Sequence, residues 1–134
     1  MCRKTERVQK TWGWEEWRIN NEKYCLKILG VYKGAWCSLH RHPKKDETFY
    51  CFFGKVLVWT EPRDPEEGSF HTLEEGDTVR IYPGKWHSFY APGNITGIQE
   101  VSTHHSDEDV ERLSESAFGT EDDWRKMIES TRKK

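Results

Sequence analysis

Two histidines two residues apart, His40 and His42, followed by a proline-led reversal and then Glu47, constrain this chain more than any other feature. Side chains alternate with period two along a strand, so both imidazoles leave one face together. Glu47 lies at an odd separation from His42 and would fall on the wrong face unless Pro43-Lys44-Lys45-Asp46 makes a turn that resets the count. Proline ends strands readily, so such a turn is expected. Two imidazoles and a carboxylate converging from adjacent strands give three ligands of a divalent metal site, an arrangement that in open form suits iron, manganese or zinc chemistry. A fourth ligand is expected elsewhere.

A second stretch, GDTVRIYPGKWHSFY, opens a strand after Gly76, turns at Pro83-Gly84 and begins its next strand at His87. The two stretches read G-x5-H-x-H-x4-E-x6-G and G-x7-G-x2-H, and the pair resembles the two signature motifs of the cupin superfamily. The resemblance implies an all-β fold, a single small jelly-roll barrel or double-stranded β-helix. It also implies that His40, His42, Glu47 and His87 together coordinate one divalent metal per chain, Mn2+, Fe2+, Zn2+ or Ni2+. Two positions depart from the family pattern: Tyr82 stands where the second motif has its proline, here moved to Pro83, and Ala91 replaces a late asparagine. Neither is a ligand position.

With 134 residues the chain is expected to form one domain, removing roughly two thirds of its unfolded surface from water without staples. Its organisation reads as an N-terminal arm over 1–11, a barrel over 12–103 and two short helices over 106–132. Seven tryptophans, five tyrosines and six phenylalanines supply bulky core and cavity lining. Lysine plus arginine number 21 against 23 aspartate plus glutamate, with the signs interspersed. That balance provides no field for nucleic acid or an anionic membrane, and no apolar run approaches the roughly 20 residues that span a bilayer. Cys2, Cys25, Cys37 and Cys51 show no C-x-x-C spacing and no secretory signal precedes them, so reduced thiols and a cytoplasmic location are expected.

TWGWEEWRINN reads as a strand closed by Asn20-Asn21, and its tryptophans are apolar enough that a homodimer covering them is expected. The order WGWEEW, NNEKYC, Lys27 and then H-x-H with KDETFY is similar to a subset of small cupins known as mannose-6-phosphate isomerase-like or sugar isomerase-like proteins. D-lyxose isomerases, cupins of related activity, tend to carry a lysine two residues before the first ligand histidine, where this chain has Ser38.

On the ligand strand Trp36 and Ser38 share the parity of His40 and His42 and are expected to face the cavity, while Cys37, Leu39 and Arg41 face away. Short strands follow over 48–53, 55–60, 69–73, 78–82, 87–90 and 95–103, separated by turn signals, with 61–68 an exposed loop. On the last of them Ile98, Glu100 and Ser102 share a face, which puts a carboxylate mid-strand. His104 and His105 are expected to fix the junction that follows. Ser106 with Asp109, and Thr120 with Asp123, each have the spacing of a capping box, so a helix is expected at each. In the second, Trp124, Met127 and Ile128 form an apolar stripe, and Arg132, Lys133 and Lys134 oppose the helix dipole.

A metal held by three histidines and a glutamate keeps a position open, which favours catalysis. The leading expectation is an aldose-ketose isomerase acting on a sugar or sugar phosphate through a metal-bound enediolate. Glu100 is then the base, its pKa raised in an aromatic cavity. Trp36, Ser38, Lys45 and Phe89 are the candidate substrate contacts, with Lys45 meeting a phosphate or hydroxyl. A ferrous dioxygenase and a non-enzymatic sugar-binding barrel are the alternatives.

Overall fold

The computed structural model describes residue 2 and residues 4–132. Five strands lead up to the second half of the first motif: β1 (Glu6–Lys10), β2 (Gly13–Asn20), β3 (Cys25–Val31), β4 (Ala35–Trp36) and β5 (His40–Arg41). Six more complete the main barrel: β6 (Glu47–Phe53), β7 (Val56–Thr60), β8 (Phe70–Leu73), β9 (Thr78–Ile81), β10 (His87–Tyr90) and β11 (Thr96–Ser102). Two short strands, β12 (Glu111–Arg112) and β13 (Ala117–Phe118), precede the helix α1 (Glu121–Arg132).

These strands form two antiparallel sheets. One runs β1-β2-β3-β11-β6-β9. The other is organised around β10, which pairs with β4, β5 and β7, while β12, β13 and β8 extend it. Between the sheets lies a core that includes Trp12, Leu29, Val31, Phe49, Cys51, Val58, Phe89 and Ile98. A second cluster, including Trp36, Leu39, Trp59, Tyr90, Trp124 and Ile128, joins the outer side of the β10 sheet to α1. The mostly apolar β3 is buried along nearly its whole length, as its composition suggests.

Turn chemistry brings the two motifs together. Gly34 and Gly84 hold φ of 75° and 80°, the left-handed region that side chains with a Cβ rarely enter. The Gly84 N–H then donates to the His42 carbonyl at 2.8 Å, tying the second motif's turn to the first motif's histidines.

One expectation about the C-terminal segment changes. The first C-terminal helix is absent, and residues 106–118 form turns and the strands β12 and β13 instead. The reason is that Asp109 does not cap: its carboxylate accepts from the Lys44 and Lys45 backbone N–H groups, both at 2.9 Å, and draws the segment across the barrel mouth. The second capping box does form, with Asp123 N–H donating to Thr120 Oγ1 at 3.1 Å and Thr120 N–H to Asp123 Oδ2 at 2.9 Å. Lys133 and Lys134, expected to oppose the dipole, lie outside the described residues.

The N-terminal arm contributes β1, an edge strand paired along its length with β2. The tryptophans of 12–17 make contacts within the chain. Trp12 is buried, Trp14 is half-buried beneath the Arg7 guanidinium and over Gly30, and Trp17 packs on Lys27 and His105.

Candidate metal centre

His40 sits on β5, His42 just past it, His87 opens β10 directly opposite His40, and Glu47 opens β6. The turn after Pro43 moves the chain from one sheet to the other, which is how Glu47 recovers the inward direction despite its odd spacing. One ring nitrogen of each histidine lies within 4.8 Å of the others. The remaining nitrogen, Nδ1, meets a backbone carbonyl in every case: Ser38 O at 2.8 Å for His40, Asp109 O at 2.7 Å for His42 and Lys85 O at 2.9 Å for His87. An Nδ1–H that donates outward fixes the tautomer and leaves the Nε2 lone pair facing the centre.

Burial, followed by the neighbouring His87 and His42, holds the pKa of His40 well below its ordinary value, and burial brings that of His42 down to about 4. Both rings are therefore neutral near pH 7, as metal ligands must be. His87 Nε2 lies 3.0 Å from Glu47 Oε1, and His42 Nε2 lies 3.9 Å from Oε2. Among the described residues His87 Nε2 is buried without a hydrogen-bond partner and faces Glu47 Oε1. Lone pairs that face one another in a buried site are costly, and a shared cation removes the cost, so this donor set fits a divalent metal.

Beside the ligands stands a buried lysine. Lys45 Nζ lies 3.0 Å from Glu47 Oε2, 3.2 Å from Glu100 Oε2 and 3.2 Å from His105 Nδ1. Its three protons thus face three acceptors. Burial alone would lower its pKa, but Glu100 and Glu47 outweigh burial and raise it. Burial alone would raise the pKa of Glu47, yet the Lys45 ammonium holds its carboxyl well below the carboxylate range. Glu100 goes the other way: burial, reinforced by Glu47, raises its pKa against the opposing pull of Lys45 and Lys27.

Glu100 faces the cavity, as do Ser38, Lys45 and Phe89, within a volume of about 250 Å³. Trp36 does not. It packs in the cluster under α1, while Cys37, expected to face away, lines the cavity. Parity slips because β4 ends at Trp36 and the chain is irregular until His40; there Leu39 N–H donates to Ser114 Oγ at 2.9 Å instead of to a strand.

Sequence reasoning missed Glu15, Lys27, His105 and Asp107 as cavity residues and Asp109 as a brace for His42. His104 does fix the junction, through Asn21 O at 2.8 Å, but the His105 ring reaches inward. Inward parity was the available signal for Glu15 and Lys27. None existed for the residues of the 104–116 segment, which are placed by non-local bonds.

The cupin domain family matches residues 28–96. The chain is 32% identical to the D-lyxose/D-mannose isomerase of Thermosediminibacter oceani, over 67% of this chain and 61% of that protein. It is 29% identical to the D-lyxose ketol-isomerase of Cohnella laeviribosi, again over 67% and 61%. The chain therefore spans about six tenths of the length of these curated relatives. Among solved structures, oxalate decarboxylase from Bacillus subtilis superposes with a TM-score of 0.71 at 19% identity, covering 81% of this chain and 30% of that one. KdgF from Halomonas sp. gives 0.65 at 16% identity, covering 79% and 90%. At such identities the likeness speaks for the fold.

Proposed function

The chain belongs to the cupin family, and from that premise we propose that it is a metal-dependent sugar isomerase interconverting an aldose and its ketose. One observation carries the reading: Glu100, a carboxylate with a raised pKa, is buried in the cavity of the metal-ligand set yet is not itself a ligand. The relatives named D-lyxose and D-mannose isomerases support it.

His40, His42, Glu47 and His87 would hold the metal, which when bound supplies Lewis-acid polarisation of a sugar carbonyl and its neighbouring hydroxyl. Glu100 takes the proton from C2 and returns it to C1, while the hydroxyl proton on O2 passes to O1, so that the carbonyl moves from C1 to C2. Lys45 fixes Glu100 through Oε2 and leaves Oε1 for the substrate. Phe89 and Trp12, packed edge to face at 5.1 Å, close the apolar wall and exclude water. Lys45, the buried cation beside the metal ligands, is paired with two carboxylates, which favours a neutral sugar over a phosphorylated one. The four free cysteines agree with a cytoplasmic setting. If the chain forms a homodimer, the half-exposed Tyr50, Phe52 and Val101 on the outer face of the six-stranded sheet suit the contact better than the tryptophans.

The test is to load the protein with Mn2+, Fe2+, Zn2+ or Ni2+ in turn and follow ketose formation from D-lyxose and D-mannose without oxygen. Metal-dependent approach to an aldose-ketose equilibrium is expected. Oxygen uptake with iron and no isomer formation would indicate a dioxygenase, and tight sugar binding without turnover a binding barrel.

A further inference from the structure

A second charged pair lies in the cavity wall beyond the proposed proton-transfer residues. Lys27 on β3 and Glu15 on β2 are both buried, at 2% and 8% exposure. Lys27 Nζ stands 3.4 Å from Glu15 Oε1 and 4.3 Å from the centroid of the Trp17 ring. Trp17 Nε1 donates to the same Glu15 oxygen. Glu15 Oε2 receives no hydrogen bond among the described residues, and two of the three Lys27 ammonium protons meet no acceptor oxygen there. Lys10 Nζ, 3.9 Å away, also approaches Glu15 Oε1, so every partner of this carboxylate among the described residues gathers on one oxygen. Desolvating two charges is costly, and contacts to one oxygen offset that cost only in part. The pair therefore presents an unfilled donor and an unfilled acceptor side by side in the cavity wall.

The sheet order fixes where this pair stands relative to the chemistry. Glu15, Lys27, Glu100 and Glu47 come from β2, β3, β11 and β6, four successive neighbours in one sheet, and Lys27 pairs directly with Glu100. Neighbouring strands are about 4.8 Å apart, so the wall runs roughly 14 Å from the metal-ligand strand to the strand of Glu15. A sugar with its reacting carbons at Glu47 and Glu100 lays the rest of its chain toward Lys27 and Glu15.

We infer that Glu15 and Lys27 form a subsite for the hydroxyls of the sugar remote from C1 and C2, and that this subsite makes the enzyme select neutral polyhydroxy chains of five or six carbons over shorter ones. Each sugar hydroxyl both donates and accepts, and two adjacent ones match a neighbouring carboxylate oxygen and ammonium. The inference rests on the isomerase reading.

The experiment compares kcat/KM for a pentose and a tetrose in wild type, Glu15→Gln and the double variant Glu15→Gln/Lys27→Met, which leaves no buried charge unpaired. Metal content and thermal unfolding are measured alongside. The pentose-to-tetrose ratio is expected to fall about 10- to 100-fold in both variants, chiefly through KM. An unchanged ratio, including an equal loss on both sugars, overturns the subsite. If wild type isomerises no sugar, the functional reading fails separately, and calorimetric binding of a pentitol decides the subsite. Tighter binding to wild type than to Glu15→Gln supports it, and equal or absent binding overturns it.

Discussion

Lys45 Nζ lies 3.2 Å from Glu100 Oε2, joining a side chain of the ligand turn to one on a strand that carries no metal ligand. The contact divides the labour between two carboxylates. Glu47, 3.0 Å from both Lys45 and His87 Nε2, has its charge held by cations and ligands and is a poor base near neutrality. Glu100 keeps one oxygen uncommitted and a raised pKa.

His42→Ala should remove metal and turnover together while the barrel stays folded, because His42 contributes to no apolar cluster. Cys51→Ser should keep its metal, since Cys51 is buried in the core and donates only to the Phe53 and Gly54 carbonyls. Metal content by elemental analysis, with circular dichroism, checks both. Full occupancy in His42→Ala, or loss in Cys51→Ser, would redraw the ligand set.

The activity profile should have an acid limb set by Glu100. A base works deprotonated, and burial raises this carboxyl, so kcat/KM should fall about tenfold per pH unit below a pKa higher than that of an ordinary glutamate. A limb at the ordinary glutamate value would mean that the base is a solvated carboxylate.

Acid should also destabilise the metal-free protein. The folded pKa of His42 is about 4 against an ordinary 6.5, so the unfolded chain binds more protons between these values. The stability from keeping the ring neutral is complete above about pH 6.5 and is lost as pH falls through about 4, on the order of 3 kcal/mol. Urea unfolding of the metal-free protein from pH 7.5 to 4 reads this together with the like contribution of His40, and His42→Gln should reduce the dependence.

The helix supports the site from behind. Trp124 is fully buried, stacks on Tyr90 and donates through Nε1 to Ser88 Oγ at 3.0 Å, and Ser88 Oγ donates to the Cys37 carbonyl at 2.8 Å. Trp124→Ala should cost about 3–5 kcal/mol of folding stability. A loss below 1 kcal/mol in denaturant titration would mean that α1 is not docked through this residue.

Much of this arrangement is legible in the sequence, and its limits have physical causes. The ligand motifs could be read because glycine and proline force turns and because period two holds within a strand. Period two also groups Ile98, Glu100 and Ser102 on one face, but which face is inward is decided by the fold, which buries all three. Trp36 was misplaced because parity does not survive the irregular stretch after β4. The helix expected at Ser106 failed because a capping box is a local pattern, and Asp109 instead binds two backbone amides 64 and 65 residues away. The carboxylates around Lys45 were not legible, because sequence does not show which side chains fold around it. His105 reaches the cavity for a similar reason: Asn20, far away in sequence, anchors its backbone at 3.0 Å.

The central claim is that Glu100, not a metal ligand, moves the proton. The most direct measurement is solvent exchange at C2: wild type and Glu100→Gln, each with metal content verified, are incubated with sugar in deuterated water and the C2 label is followed by NMR. Glu100→Gln should bind metal and sugar as wild type does, turn over about 10²- to 10⁴-fold more slowly and exchange no C2 proton. Exchange at the wild-type rate in that variant would contradict the account and assign the base to Glu47, a histidine or a metal-bound hydroxide.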